Sequence, residues 1–391
     1  VDETATVSGA LTQSGNITID VLTDKTLTYE GAAVDIGANT LTLSGGGTLT
    51  NTNNLVLSNA NSKLLLNSIT LGSASTSSES LGVDVDADST ITALTVSNTT
   101  PVSIADGVSL SGGIAATAGS INLDETGTLA STVTMAGGTL DVDETATVSG
   151  ALSHTADITI DVLTDKTLTY SGTAISLGAT TVTLTGGGNF ASGGISLNNA
   201  NSKLLLNSIT LDSASTSSDS LGVDVDANST ITALTVSNTT PVSIADGVSL
   251  SGGIATTAGS INLDETGTLA STVTMAGGTL DVDETATVSG ALSHTADITI
   301  DVLTDKTLTY SGTAISLGAT TVTLTGGGNF ASGGISLNNA NSKLLLNSIT
   351  LDSASTSSDS LGVDVDANST ITALTVSNTT PVSIADGVSL S

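Results

Sequence analysis

The chain has no cysteine, tryptophan or arginine, and aromatic residues make up 1% of its 391 positions. Each scarcity closes a class of protein. Without cysteine there are no disulfides and no thiolate metal sites. With six lysines against 37 acidic residues, the formal charge is −31. Such a chain repels phosphates and anionic lipid, so neither nucleic acid nor an anionic membrane is expected as a partner. Two phenylalanines (Phe190, Phe330) and three tyrosines (Tyr29, Tyr170, Tyr310) are too few to fill a compact globular core. No apolar run approaches the ~18 residues of a membrane span, so no membrane insertion is expected. A hydrophobic content of 38% nevertheless argues against disorder.

What the chain has is repetition. From Val83 to Ile160 an alternating apolar pair keeps returning: Val83/Val85, Val102/Ile104, Ile121/Leu123, Leu140/Val142 and Ile158/Ile160. The first members lie 19, 19, 19 and 18 residues apart, with Gly, Asp and Asn turns between them. Alternation of this kind on a regular step is the pattern of one coil of a β-solenoid. A longer period lies above it. VDETATVSGAL occurs at Val1, Val142 and Val282, and NANSKLLLNSIT at Asn59, Asn199 and Asn339. Residues 142–251 and 282–391 are identical. The organisation expected is one continuous, elongated solenoid of tandem copies: 1–141, 142–281 and a truncated 282–391.

One copy of 140 residues divides into seven coils of about 20 residues each. No segment carries the helical period, and Gly, Ser, Thr and β-branched residues dominate, so the fold is expected to be all-β with essentially no α-helix. At ~4.8 Å per rung, a copy would rise about 34 Å and the segment about 95 Å. The chain starts at Val1 without an initiator methionine or signal, and is read as mature protein or an internal stretch of a longer repetitive chain.

Carboxylates are the most suggestive chemistry. Aligned on the apolar pairs, Asp86, Asp124, Asp143 and Asp161 would fall in one column, with Ala105 interrupting it and Asp88, Asp106, Glu125 and Glu144 close behind. Such an edge is either solvated and screened or bridged between rungs by calcium, which takes six to eight oxygens. The candidate calcium ligands are Asp84, Asp86, Asp88, Asp106, Asp124, Asp143, Asp161, Asp224 and Asp226. No cofactor is required by anything in the sequence. The run from Asp84 to Asp88 starts like a calcium loop but lacks its glycine and terminal Glu, and Asn228 and Asn368 replace Asp88 in later copies.

Other motifs read as structure. Thr-x-Thr pairs such as Thr26/Thr28 and Thr181/Thr183 match the ice-binding faces of some solenoids, but their spacing keeps them off consecutive rungs. His154 and His294 stand alone in equivalent turns, with Gln13 in their place in the first copy, and are read as surface residues. The glycine triplets 45–47 and 186–188 lie between strands and make corners, not a phosphate loop. The polar stretch Gly72–Ser80 breaks the alternation and is read as a loop, either passive or a lateral or glycan-bearing knob. Every carboxylate recurs by the repeat, so no unique catalytic cluster is present and no enzyme is expected.

Runs such as MAGGTLDVDETATVSGAL (Met135–Leu152) and KTLTYEGAAVDIGANTLTLSGGGTL (Lys25–Leu49) resemble the repeats of large bacterial surface proteins, namely autotransporter passengers and filamentous-haemagglutinin-like adhesins. The resemblance is one of composition and period. It implies a right-handed parallel β-helix, export to the cell surface or the extracellular space, and a role in a fibre, sheath or stalk through self-association into filaments. An adhesin whose solenoid presents loops to a glycan or cell-surface ligand is the alternative.

Overall fold

The structure, a computed structural model, describes the backbone of residues 1–391 and every side chain except those of Ser192 and Ser332. The chain is an all-β parallel β-solenoid of about 19 turns, with about 20 residues per turn and no helix. It falls into two compact units, residues 1–176 with 180–194, and residues 177–179 with 195–391. The division lies inside the second sequence repeat.

Each turn has three strand positions. In the first unit Gly82–Ala87 occupies the first, and Ser89–Val96 bends through the second and third. Thr100–Ile104 then returns to the first position, placing Val102 beside Val83 and Ile104 beside Val85. The bend shows as a register shift between Ile91 and Leu94. Two turns later the bent strand has become two, Thr128–Leu129 and Thr132–Met135. In the second unit, seven turns separate Gly222–Ala227 from its copy Gly362–Ala367. That matches the seven coils read from the sequence.

Alternation sets the core. Leu64, Val83, Val102, Ile121 and Leu140 point inward at 0–1% exposure, while the residues between them face out. Each fully buried Val, Leu or Ile contributes roughly 1.5–3 kcal/mol, and it can be buried only because a rung lies above and below it. The few aromatic rings sit together: Tyr170 packs against Phe190 with ring centroids 6.2 Å apart. The Tyr170 hydroxyl donates to the Thr173 carbonyl at 2.7 Å and accepts from Leu152 N–H at 3.1 Å, pinning the corner between two strands.

Three expectations are corrected. The apolar pairs do not all stack in the order of their spacing. Thr100 lies beside Ile121, and Leu140 lies beside Ile160, not Ile158. Ile158 instead partners Val182 in the next turn. Turn length is absorbed at corners, which a constant step cannot represent. Second, most of Gly72–Ser80 is not a loop: Thr70–Thr76 is a strand with Leu71, Ala74 and Thr76 inward. Buried Thr76 survives there because its Oγ1 accepts from Ser97 N–H at 3.0 Å in the turn above.

Third, threonines do fall on consecutive rungs. Thr26, Thr48, Thr70 and Thr90 form one registered column. The doubled array of Thr26/Thr28 beside Thr48/Thr50 gives out at Gly72, so what persists is a single line of hydroxyls.

Candidate functional site

Charge is segregated between the strand positions. The first-position strands of the first unit carry Asp20, Lys63, Asp84, Asp86, Asp141 and Asp161. Those of the second unit carry the copies of the last five together with Asp364 and Asp366. The strands of the second and third positions hold only Asp35, Asp212 and Asp352. The candidate site is therefore the carboxylate-bearing side.

The aspartates on it do not form one column. Asp84 lies opposite Ser103 and is paired with Lys63 Nζ of the turn below. Ser103 Oγ in turn donates to Asp124 Oδ1 at 2.6 Å. Asp224 repeats the arrangement with Lys203, and Ser243 Oγ donates to Asp264 at 2.6 Å. Asp86 and Asp226 lie at the outer end of the same strands. Both act on a glutamate two turns on: partial burial raises Glu125 above its ordinary 4.5, and Asp84, Asp124 and Asp86 add to the rise. Glu265 is raised in the same way by burial and then by Asp264, Asp224 and Asp226.

Asp88 has a different task. Its Oδ1 accepts from Ser109 N–H at 2.9 Å, capping the start of the next strand. Asn228 and Asn368 accept the same bond from Ser249 and Ser389 at 2.9 Å, which explains why Asp and Asn interchange here. Asp106 is exposed in a tight turn closed by Val108 N–H on the Ala105 carbonyl at 3.0 Å.

Asp143 accepts from Asn122 Nδ2 at 3.0 Å. Asp161 stands beside Asp141 on one flank and Thr185 on the other. Asp141, not singled out from the sequence, is the crowded one. Burial, then Asp143 and Asp161, raise it above the ordinary aspartate value of 3.8. Asp281 and Asp301 in the second unit are raised likewise, burial being the largest cause for both.

These raised values have a definite sign. Between 3.8 and the raised value the fold binds more protons than the unfolded chain, so stability falls as pH climbs through that window. The penalty is constant above it. Asp141→Asn is expected to stabilise the fold near pH 7 by on the order of 0.5 kcal/mol, as removal of like charges directly opposite each other should. The gain should vanish as pH approaches 4 in melting curves taken across the range; a gain independent of pH would refute the cause.

The histidines are not simple surface residues. His154 is half-buried at the end of Leu152–His154, with Nδ1 3.3 Å from the Ala156 carbonyl and 3.1 Å from Thr180 Oγ1. Burial lowers it below its usual 6.5 against the opposing pull of the Ala156 and Ser176 backbone and of Asp157. Its contribution is therefore present above pH 6.5 and lost as pH falls through the lowered value. Gln13 fills the place in the first copy, its Nε2 donating to the Thr40 carbonyl at 2.9 Å. Replacing both histidines with glutamine should remove the loss below pH 6.5 in acid-melting experiments, at little cost at neutral pH.

The lysines were the signal missed. Each of the six is paired with a carboxylate on the adjacent turn: Lys25 with Glu3, Lys166 with Glu144 at 2.6 Å, Lys306 with Glu284 at 2.6 Å, and Lys63, Lys203 and Lys343 with Asp84, Asp224 and Asp364. Hydrogen bonding to Asp224 is the largest cause of the raised Lys203, and hydrogen bonding to Asp364 that of Lys343. A spacing of 21 or 22 residues between Lys and Asp or Glu was the readable clue. What the side does chemically is fasten one turn to the next.

Among the described residues no group of three or more His, Asp or Glu is gathered so as to hold a metal ion. No helix is long and apolar enough to cross a membrane. The chain matches no protein-family model, no curated protein and no solved structure.

Proposed function

We propose that the chain is a structural element of an extracellular fibre, sheath or stalk, and that it is not an enzyme. One observation carries this reading: polar side chains that looked like candidate chemistry are bonded across rungs, and those bonds return by the repeat. Lys63–Asp84 recurs as Lys203–Asp224 and Lys343–Asp364, and Ser103–Asp124 as Ser243–Asp264. Fasteners that return at every copy suit a uniform rod, in which no copy has a private task. Export to the cell surface rests on the resemblance and on the absence of cysteine. Electron microscopy of the purified protein tests the reading. Long regular filaments without added ligand are expected; isolated short particles that bind cells or sugars would overturn it.

That second outcome belongs to the adhesin reading, which one feature favours. The corner from Ser77 to Leu81 ends in a leucine 53% exposed, and its copies Leu221 and Leu361 are 52% and 55% exposed. Calcium is a further reading of the carboxylates. The lysine, serine and asparagine partners of Asp84, Asp124 and Asp143 favour a self-fastened edge over inter-rung calcium. Excess chelator is expected to leave the melting curve unchanged, and a fall in melting temperature would restore the ion.

A further inference from the structure

Carboxylates limit where two copies of this chain can meet. With a formal charge of −31, copies repel wherever the first-position side of one faces that of another. The second and third positions are different. Their outward residues are threonine, serine and alanine in registered lines. In the first unit Ser109, Thr128, Thr147 and Thr169 follow one another on successive turns, and in the second unit Ser249, Thr268, Thr287 and Thr309 do the same. Beside them Ala93, Ala115, Ala233 and Ala255 are exposed. Some hydroxyls already bond along the column, as Thr90 does with Ser111 at 2.6 Å and Thr134 with Ser153 at 3.2 Å. Their methyl groups and the alanines are then left as the outer surface.

We infer that this uncharged Ser/Thr/Ala surface is a lateral docking face for a second copy of the same chain. Charge selects the face, because it is the side on which approach does not bring carboxylates together. Period selects the partner. Side chains repeating every ~4.8 Å mesh along their length only with a surface of the same spacing, and another copy has that spacing by construction. Small side chains from two parallel in-register sheets interdigitate without voids, which is how dry sheet-to-sheet interfaces form. This inference rests on reading the chain as a fibre element, but the two fail separately: single filaments could form without lateral pairing.

The test places the same charge on each side. Thr147→Glu with Thr287→Glu puts carboxylates on the uncharged surface, and Thr183→Glu with Thr323→Glu adds them to the charge-bearing side, all at outward positions. Lateral association is read by sedimentation and electron microscopy, with circular dichroism to confirm that each variant folds. The first pair is expected to weaken lateral association roughly tenfold or more, and the second to leave it near wild type. Added salt should strengthen wild-type association by screening the net charge, and chelator should not dissolve it. Equal effects of the two pairs, no lateral association of the wild type at any salt, or dissolution by chelator would each overturn the docking face. Single filaments seen in any of those cases would leave the fibre reading standing.

Discussion

Phe190→Ala is expected to cost about 3–5 kcal/mol, the usual range for emptying a fully buried aromatic site. Phe190 is 1% exposed, lies beside Leu168 in register, and closes the core under Tyr170. The loss should stay local, since each turn of a solenoid is held by its neighbours and not by a distant core. Hydrogen exchange is the measurement. Amides from Leu168 to Phe190 should lose protection, while the identical stretch around Phe330 serves as an internal reference in the same molecule. Equal protection at both places would show that the aromatic pair is dispensable. Phe190→Leu should cost much less, because the first copy holds Leu49 there, between Leu27 and Leu71.

Gly326→Ala is the second large effect, on the order of 3 kcal/mol. Gly326 has φ of 103°, and a Cβ there would collide with the Val302 carbonyl and the Asp301 carboxylate of the turn below. A backbone carbonyl cannot swing away as a side-chain tip can, so the corner itself would have to open. Gly318 supplies the contrast. Its φ is 56° with nothing within 4 Å of a built Cβ, so Gly318→Ala should cost only about 1 kcal/mol, the price of the left-handed conformation alone. Limited proteolysis between residues 321 and 332 distinguishes the two. Similar cleavage of both variants would mean that conformation, not collision, fixes the glycine.

Much of the architecture could be read before any coordinates. Alternation at Val83/Val85 and Val102/Ile104 marks inward strands because a rung buries one face only, and that rule is local. The glycine triplet 186–188 was legible as a corner for the same reason: positive φ belongs to the residue itself. Register was less accessible. The step from Leu140 to its partner depends on how many residues the corner from Asp143 to Asp157 consumes, which no alternation records. The strand Thr70–Thr76 was obscured because small polar residues occupy it, with Ala74 and Thr76 doing the work of larger apolar ones. His154 was misplaced because a single polar residue carries no periodic signal of burial.

By itself the sequence determined the composition of the rung: its length, its alternating core, its strand content and its return every 140 residues. Those properties follow from neighbours along the chain. The tertiary structure decided which residues become neighbours across it. It set Asp84 against Lys63, gathered Asp141 with Asp143 and Asp161, and collected the acidic residues on one side while lining up Thr, Ser and Ala on the others. The physical reason is that contacts between rungs join residues about 20 apart, and corner lengths that vary by one or two residues decide which ones meet.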